Sequence, residues 1–300
     1  MKYSNKLTEI YTSIDDFYKK FNQSIQKYQL RAKTRQRNRK FKLSQSEVMT
    51  LLVLFHLGNF KNLKHFYLFY VKEHLSSEFP QLVSYNRFVE LSQTVIFPLV
   101  VYLKTQSMGN CTGISFIDST PLRVCHNRRI HSHKVFKGIA ERGHCSIGWF
   151  FGFKLHLIIN DKGELLDFVI TQANVDDRQP LVAGKMLKQI WGKLFGDKGY
   201  ISQSLFSMLF VSGIHLITKI RSNMRNTPMN MTDKILLRKR ALIESVNDEL
   251  KNICQIEHTR HRSVINFFSN LIAGLIAYCF LPKKPAIKCT FEKTNQLAFC

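Results

Sequence analysis

The sequence predicts an α/β protein: a mixed sheet flanked by helices, preceded by an all-helical basic region. Three observations point there. Residues 1–100 read as helical, with apolar runs opened by capping signals. From residue 114 the apolar runs shorten to strand length, and Asp161-Lys162-Gly163 forms a turn between two of them. Beyond that hairpin, short apolar strands alternate with helical stretches, the pattern of a mixed sheet covered by helices.

Taken in order, Ser44-x-x-Glu47 is a capping-box pattern that opens the apolar run Val48–Phe55. A second helical stretch, Leu63 to Val71, follows Gly58-Asn59, and a third begins at Ser84-Tyr85-Asn86-Arg87 and runs toward Leu103 with a bend expected at Pro98. Three short helices behind a basic arm suggest a helix-turn-helix-like unit. Strands are expected at Ile114–Asp118, Gly148–Asn160, Glu164–Thr171, Lys193–Gly196 and Ile214–Ile220. Asp176 to Trp191 reads as a helix with Pro180 in its first turn, and Ser202–Val211 as another. The apolar stretch Val264–Leu281 matches the shortest spanning helices in length, but Asn266, Ser269 and Asn270 interrupt it and cations flank both ends, so it is expected as a buried helix packed on a sheet.

Charge narrows the function. With 44 Lys+Arg against 21 Asp+Glu, the 300-residue chain carries a formal +23, which calls for a polyanionic partner, nucleic acid foremost. Eight cations and no acid lie between Lys27 and Lys42, and Arg31, Lys33, Arg35, Arg37, Arg39 and Lys40 are the candidate phosphate contacts of that arm. Seven scattered cysteines without a C-x-x-C fit reduced thiols, and the N-terminus lacks an apolar signal core, so a cytoplasmic, nucleoid-associated protein without a membrane partner is expected.

Against this basic background three acids are conspicuous. Asp118 closes the apolar run Ile114–Ile117, Asp197 ends Leu194-Phe195-Gly196, and Glu244 lies in the helical stretch Arg240–Asn247. Carboxylates at two strand ends plus one on a helix would make an all-oxygen site suited to Mg²⁺. Each has a plainer reading: Asp118 capping a turn with Ser119, Asp197 serving a Gly-flanked turn, Glu244 pairing with Arg240 along a helix. The Cys125-His126 to His144-Cys145 region offers zinc-type ligands but not their spacing, and its interleaved Arg128, Arg129 and Lys134 favour a DNA-contacting loop. Asn174–Arg178 reads as a helix start with its carboxylates toward the helix dipole.

Several tracts carry a family resemblance: Phe116–Thr120, Asn127-Arg128-Arg129, His133–Phe136, Gly148–His156, Gly196–Tyr200 and Arg262–Phe267. In this order they resemble the bacterial insertion-sequence DDE transposases, most closely the insertion-sequence family numbered 982. In related families the third carboxylate lies in a Tyr, Arg, Glu, Lys pattern with two, three and six residues between, which Arg240, Glu244 and Lys251 match while Leu237 stands in the tyrosine's place. On one continuous helix, Arg240, Glu244 and Lys251 would share a face.

The resemblance implies a ribonuclease-H-like sheet and division into 1–105 (helical DNA-binding and dimerisation region), 106–282 (DDE catalytic domain) and 283–300 (basic tail). It implies Asp118, Asp197 and Glu244 as catalytic metal ligands for two Mg²⁺ ions, with Mn²⁺ as a substitute. Lys198, Arg240 and Lys251 would be phosphate contacts. The implied partners are terminal inverted repeats and a target duplex, bound by a homodimer that cleaves strands and transfers a 3′-OH. A hydrolytic nuclease on the same core, and a catalytically silent DNA-binding descendant, are the rival readings.

Overall fold

A computed structural model describes residues 2–31, 42–58, 60–146, 148–224, 228–257, 261–287 and 297–299. The chain forms two compact units, Met1–Ser107 with Leu250–Leu281, and Met108–Glu249 with Pro282–Cys300. These boundaries differ from the 106–282 division, because the C-terminal helix groups with the N-terminal ones.

The first unit is all-helical. Helix α1 (Lys2–Arg31) buries Leu7, Ile10 and Ile14, spaced to share one stripe, and packs on α2 (Gln45–Leu57). Helix α2 is buried continuously from Val48 to His56, so it is the unit's central rod. Its start is the predicted capping box: Ser44 Oγ accepts from the Glu47 N–H, and Glu47 accepts from the Ser44 N–H. The second stretch forms α3 (Leu63–His65), a π-helical segment Phe66–Val71, and α4 (Lys72–His74).

The third stretch splits into α5 (Tyr85–Thr94) and α6 (Ile96–Tyr102), with a 56° bend. The break falls before Pro98, not at it. Pro98 has no N–H to offer the Thr94 carbonyl, and its ring crowds that carbonyl, so the ladder fails four residues upstream. Helix α11 (Val264–Cys279) is buried along most of its length, but against α2, α5 and α6 rather than the predicted sheet. Its small residues Ala273, Gly274 and Ala277 permit this close helix packing; a side chain on Gly274 would meet Ile256 at 2.5 Å. His56, buried on α2, donates from Nδ1 to the Cys254 carbonyl. Among the described residues no single helix is long and apolar enough to cross a membrane.

The second unit holds a six-stranded mixed sheet. Strand β1 (Ile114–Cys125) runs antiparallel to β3 (Gly148–Asn160). On its other edge β3 pairs β2 (Glu141–Cys145) through Gly148–Gly152 and β4 (Leu165–Gln172) through Phe153–Ile159. Strand β5 (Gly192–Gly196) runs parallel to β1, and β6 (Ile214–Thr218) parallel to β5. The hairpin and the five expected strands are therefore present. Strand β2 was not predicted, since Glu141-Arg142-Gly143-His144-Cys145 has no apolar alternation.

Two further expectations change. The Asp176–Trp191 helix shrinks to α7 (Gln179–Val182), because Gly184 takes a left-handed φ of 64° and the chain continues in turns. The stretch around Glu244 divides into α9 (Met231–Arg238) and α10 (Ala241–Asp248), followed by a π-helical segment, Glu249–Ile253. A short pair, β7 (Pro228–Asn230) with β8 (Leu297–Phe299), stands apart from the main sheet.

One face of the sheet, through Ile117, Ile158 and Leu194, packs on Leu181, Met186 and on Leu205 and Leu209 of α8 (Gln203–Val211). The opposite face carries Phe116 and Phe195, stacked at 5.4 Å, and is covered by α9 and α10. Gly152 sits opposite the irregularity between Arg123 and Cys125, where a Cβ would lie 2.0 Å from the Leu122 carbonyl oxygen. Gly152→Ala should therefore force β1 and β3 apart and lower stability by roughly 1–3 kcal/mol, as other overpacking changes do. Urea unfolding followed by circular dichroism checks this; an unchanged midpoint would show that the ladder absorbs the methyl.

Candidate active site

Asp118 does not end a strand, as the sequence reading had it; β1 continues to Cys125 and Asp118 pairs with Leu157 on β3. What ends beside it is the parallel neighbour. The last β1–β5 partners are Phe116 and Phe195, and each acid lies two residues further on, Asp118 along β1 and Asp197 at the cap of a 3₁₀ turn, Lys198–Tyr200. Parallel pairing keeps partners level, so the two acids stand at the same height, Asp118 within β1 and Asp197 just past the end of β5. Asp197 Oδ1 accepts from the Gly199 N–H at 2.8 Å, the turn role expected for it, while Lys198 is exposed.

Helix α10 covers the Phe116 face and supplies the third acid. Arg240, at its N-cap, donates from Nη2 to Glu244 Oε1 at 2.8 Å and places Nη1 3.9 Å from Asp118 Oδ1. The predicted Arg–Glu pair along the helix is thus present, and it reaches Asp118 as well. One turn further, Asn247 donates from Nδ2 to Asp118 Oδ2 at 3.1 Å. Arg240, Glu244 and Asn247 follow i, i+4, i+7 spacing, the signal that could have found Asn247 from sequence.

Lys251 lies beyond the α-helix that carries Glu244. The α-helical register stops at Asp248, and Lys251, on the π segment, pairs with Glu257 at 3.4 Å. Leu237 lies on α9, a separate helix, where it is buried. Arg31 ends α1, while Lys33, Arg35, Arg37, Arg39 and Lys40 lie outside the described residues. Arg128 and Arg129 are exposed on a 3₁₀ turn after β1, and Lys134 is exposed in the loop beyond it. Of the histidines between Cys125 and Cys145, His126 accepts from the Arg128 N–H, His133 stacks on Phe136, and His144, on β2, packs on Trp149. At the start of α7, Asp176 is clamped by the Arg178 guanidinium, whose hydrogen bonds hold its carboxyl at about 2, and Asp177 pairs with Lys154 at 3.0 Å.

Burial raises the Asp118 carboxyl from its ordinary range to about 6. Arg240 and the Ser119 N–H oppose that rise, and the charges of Asp197 and Glu244 add to it, so the three acids feel one another. Tyr200 is a further member that the sequence reading left unassigned. Its buried hydroxyl makes no hydrogen bond among the described residues, and burial, then the fields of Asp118, Asp177 and Asp197, push it well above the usual phenol range.

Among the described residues no three His, Cys, Asp or Glu side chains close on an ion-sized centre. The donor set still fits a hard divalent cation. The acids offer only oxygen, Arg240 shows that a positive charge settles between two of them, and Asn247 Oδ1 is buried without a hydrogen-bond partner.

Because the Asp118 carboxyl titrates higher in the folded chain than in the unfolded one, the folded chain holds a proton between about pH 4 and 6 that the unfolded chain has released. Its burial therefore lowers stability above pH 6, and this penalty fades as pH falls toward 4. Without divalent metal, Asp118→Asn should be more stable than wild type at pH 7, with the two converging by pH 4. Thermal unfolding across this range is the check; a gap independent of pH would refute the assignment.

Residues 108–264 match the family described as transposase DDE domain, a span containing Asp118, Asp197 and Glu244. No curated protein matches the chain. Among solved structures, it is similar to a piggyBac transposase in a synaptic complex with hairpin DNA, at 12% identity and a TM-score of 0.43, covering 90% of this chain and 70% of that one. With more than half of its 300 residues inside the family match, the chain belongs to the transposase DDE-domain family.

Proposed function

We propose that this protein is the transposase of a bacterial insertion sequence, most like the family numbered 982, cleaving DNA at terminal inverted repeats and joining the freed 3′-OH to a target duplex. The observation that carries the reading is that parallel β1 and β5 set Asp118 and Asp197 level with one another, with Glu244 presented by the covering helix and joined to Asp118 through Arg240. The strand order supports a ribonuclease-H-like core: β1, β3 and β4 antiparallel in sequence, then β5 and β6 parallel to β1.

In this reading Asp118, Asp197 and Glu244 hold two divalent ions, Mg²⁺ or Mn²⁺. When bound, these supply a nucleophile at neutral pH and stabilise the attacking and leaving oxygens of an in-line displacement. The chain's own residues prepare that chemistry. Asn247 fixes the Asp118 carboxylate through Oδ2, and its own Oδ1 is buried without a hydrogen-bond partner. Arg240 neutralises two of the acids and carries the charge a phosphodiester needs. Lys198 is exposed next to Asp197, within the reach of a backbone phosphate. The basic arm, Arg128, Arg129 and Lys134 would hold the duplex through phosphates, with base readout falling to the helical unit. Acting on two ends calls for a homodimer.

The test is Mg²⁺-dependent joining of a pre-nicked duplex, taken from the ends of the surrounding element, to a plasmid. Asp197→Ala should abolish joining while DNA binding is retained. Asn247→Ala should reduce it roughly 10–100-fold, the usual effect of removing a ligand's hydrogen-bond partner. Nicking without joining by wild type would make the protein a nuclease; binding with neither activity would make it a silent descendant.

A further inference from the structure

The helical unit contains a cleft of about 810 Å³ that the proposed chemistry does not use. Its polar residues come from the start of α3, the start of α5, the segment before α11, and α11 itself. Three exposed cations, Lys61, Lys64 and Arg262, line it, and none makes an ion pair among the described residues. The acid of the lining, Glu257, is already paired with Lys251. The cleft therefore presents a net positive charge.

Two helices open into it by their N-terminal ends. Tyr85 and Asn86 belong to the first turn of α5, ten residues long, and Asn266 to the first turn of α11, sixteen residues long. Their partial positive charges add to that of the cations and favour an anion.

The floor shows that more than an anion is expected there. Thr50 and Ser92, buried hydroxyls on helices of the same unit, satisfy themselves by bonding back to the carbonyls of Ser46 and Phe88. Ser269 does not. Its Oγ, on a side chain 1% exposed, has no hydrogen-bond partner, and neither has Asn266 Oδ1. An orphaned buried polar group costs about 1–3 kcal/mol, which a ligand hydrogen bond would recover. Beside them Gln255 is the non-glycine residue with a positive φ, 49°, among the described residues. Such backbone strain persists where surrounding structure imposes it, often at ligand clamps.

A lone phosphate would leave most of this cleft empty; sites of roughly 300–1,000 Å³ hold ligands of drug size. We propose that the cleft binds a nucleotide with an exposed base, its phosphate on Lys61, Lys64 and Arg262 and its base edge on Asn266, Ser269 and Asn270. Amide and hydroxyl side chains match the donors and acceptors of a base edge, and Tyr85 offers a face for stacking. If the transposase reading above holds, the source is an unpaired nucleotide of a DNA strand, and the cleft selects strand ends that have left the duplex.

Binding is measured on the full chain without divalent metal, so no outcome depends on catalysis. The probes are a mixed-sequence single-stranded decamer, the corresponding blunt duplex, deoxynucleoside 5′-monophosphates and inorganic phosphate. Lys61→Gln/Lys64→Gln, both at exposed positions, should weaken the single strand and the monophosphates about tenfold. A charge-matched control, Lys20→Gln/Lys72→Gln, lies outside the cleft and should not. Ser269→Ala should weaken the monophosphates several-fold and leave inorganic phosphate unchanged. Equal weakening by the control, or phosphate binding as tightly as the monophosphates, overturns the nucleotide site. Monophosphates bound without preference for single strand over duplex overturn the DNA strand as its source. Unaltered monophosphate binding by Asp197→Ala, the variant whose joining is tested separately with Mg²⁺, supports a cleft independent of the acids, whereas equal weakening overturns that independence.

Discussion

The parallel register between β1 and β5 is the constraint on which the site depends. Phe116 and Phe195 are its last partners and stack on the covered face. Because side chains alternate along a strand, the residues two positions on belong to the same face, and those residues are Asp118 and Asp197. A slip of one residue in either strand would turn one acid toward Ile117 and Leu194, into the apolar core beneath α8. The aromatic pair thus holds the register that sets the acids on one face, where α10 meets Asp118 through Arg240 and Asn247.

Bringing acids together in a partly dry place works against folding, and the chain offsets this with its own cation. Burial and the charges of Asp197 and Glu244 all raise the Asp118 carboxyl, and Arg240 is the largest opposing influence. Its guanidinium is shared between Asp118 and Glu244, so the two sit beside a counterion before any metal arrives. Tyr200 belongs to the same economy of charge. A phenol surrounded by carboxylate fields stays protonated and adds no further negative charge to the cluster.

Much of the sheet was legible because apolar runs of strand length were bounded by recognisable turns: β3 was anticipated to the residue, and Asp161-Lys162-Gly163 does connect it to β4. The acids were legible as chemistry but not as geometry. Sequence shows where an apolar run stops; it cannot show that β1 continues through Pro121 to Cys125 while its neighbour stops first. Helix lengths failed where backbone conformation overrides periodicity, at Gly184 and at the π segment that follows Asp248. The burial partner of α11 was misjudged for a different reason. Apolar residues on most sides announce burial but not against what, and the small side chains at Ala273, Gly274 and Ala277 hint at helix rather than sheet only once Gly274 is seen against Ile256. Strand β2 gave no pattern at all, since an edge strand held by backbone bonds to β3 needs none.

Arg240 also explains how a chain so rich in cations keeps an acidic site useful. Exposed lysines and arginines draw a polyanion to the protein, yet clustered carboxylates would repel the phosphodiester that the proposed chemistry brings to them. A fixed guanidinium between them cancels part of that repulsion while the protein is metal-free, and divalent ions in the same acids would cancel the rest.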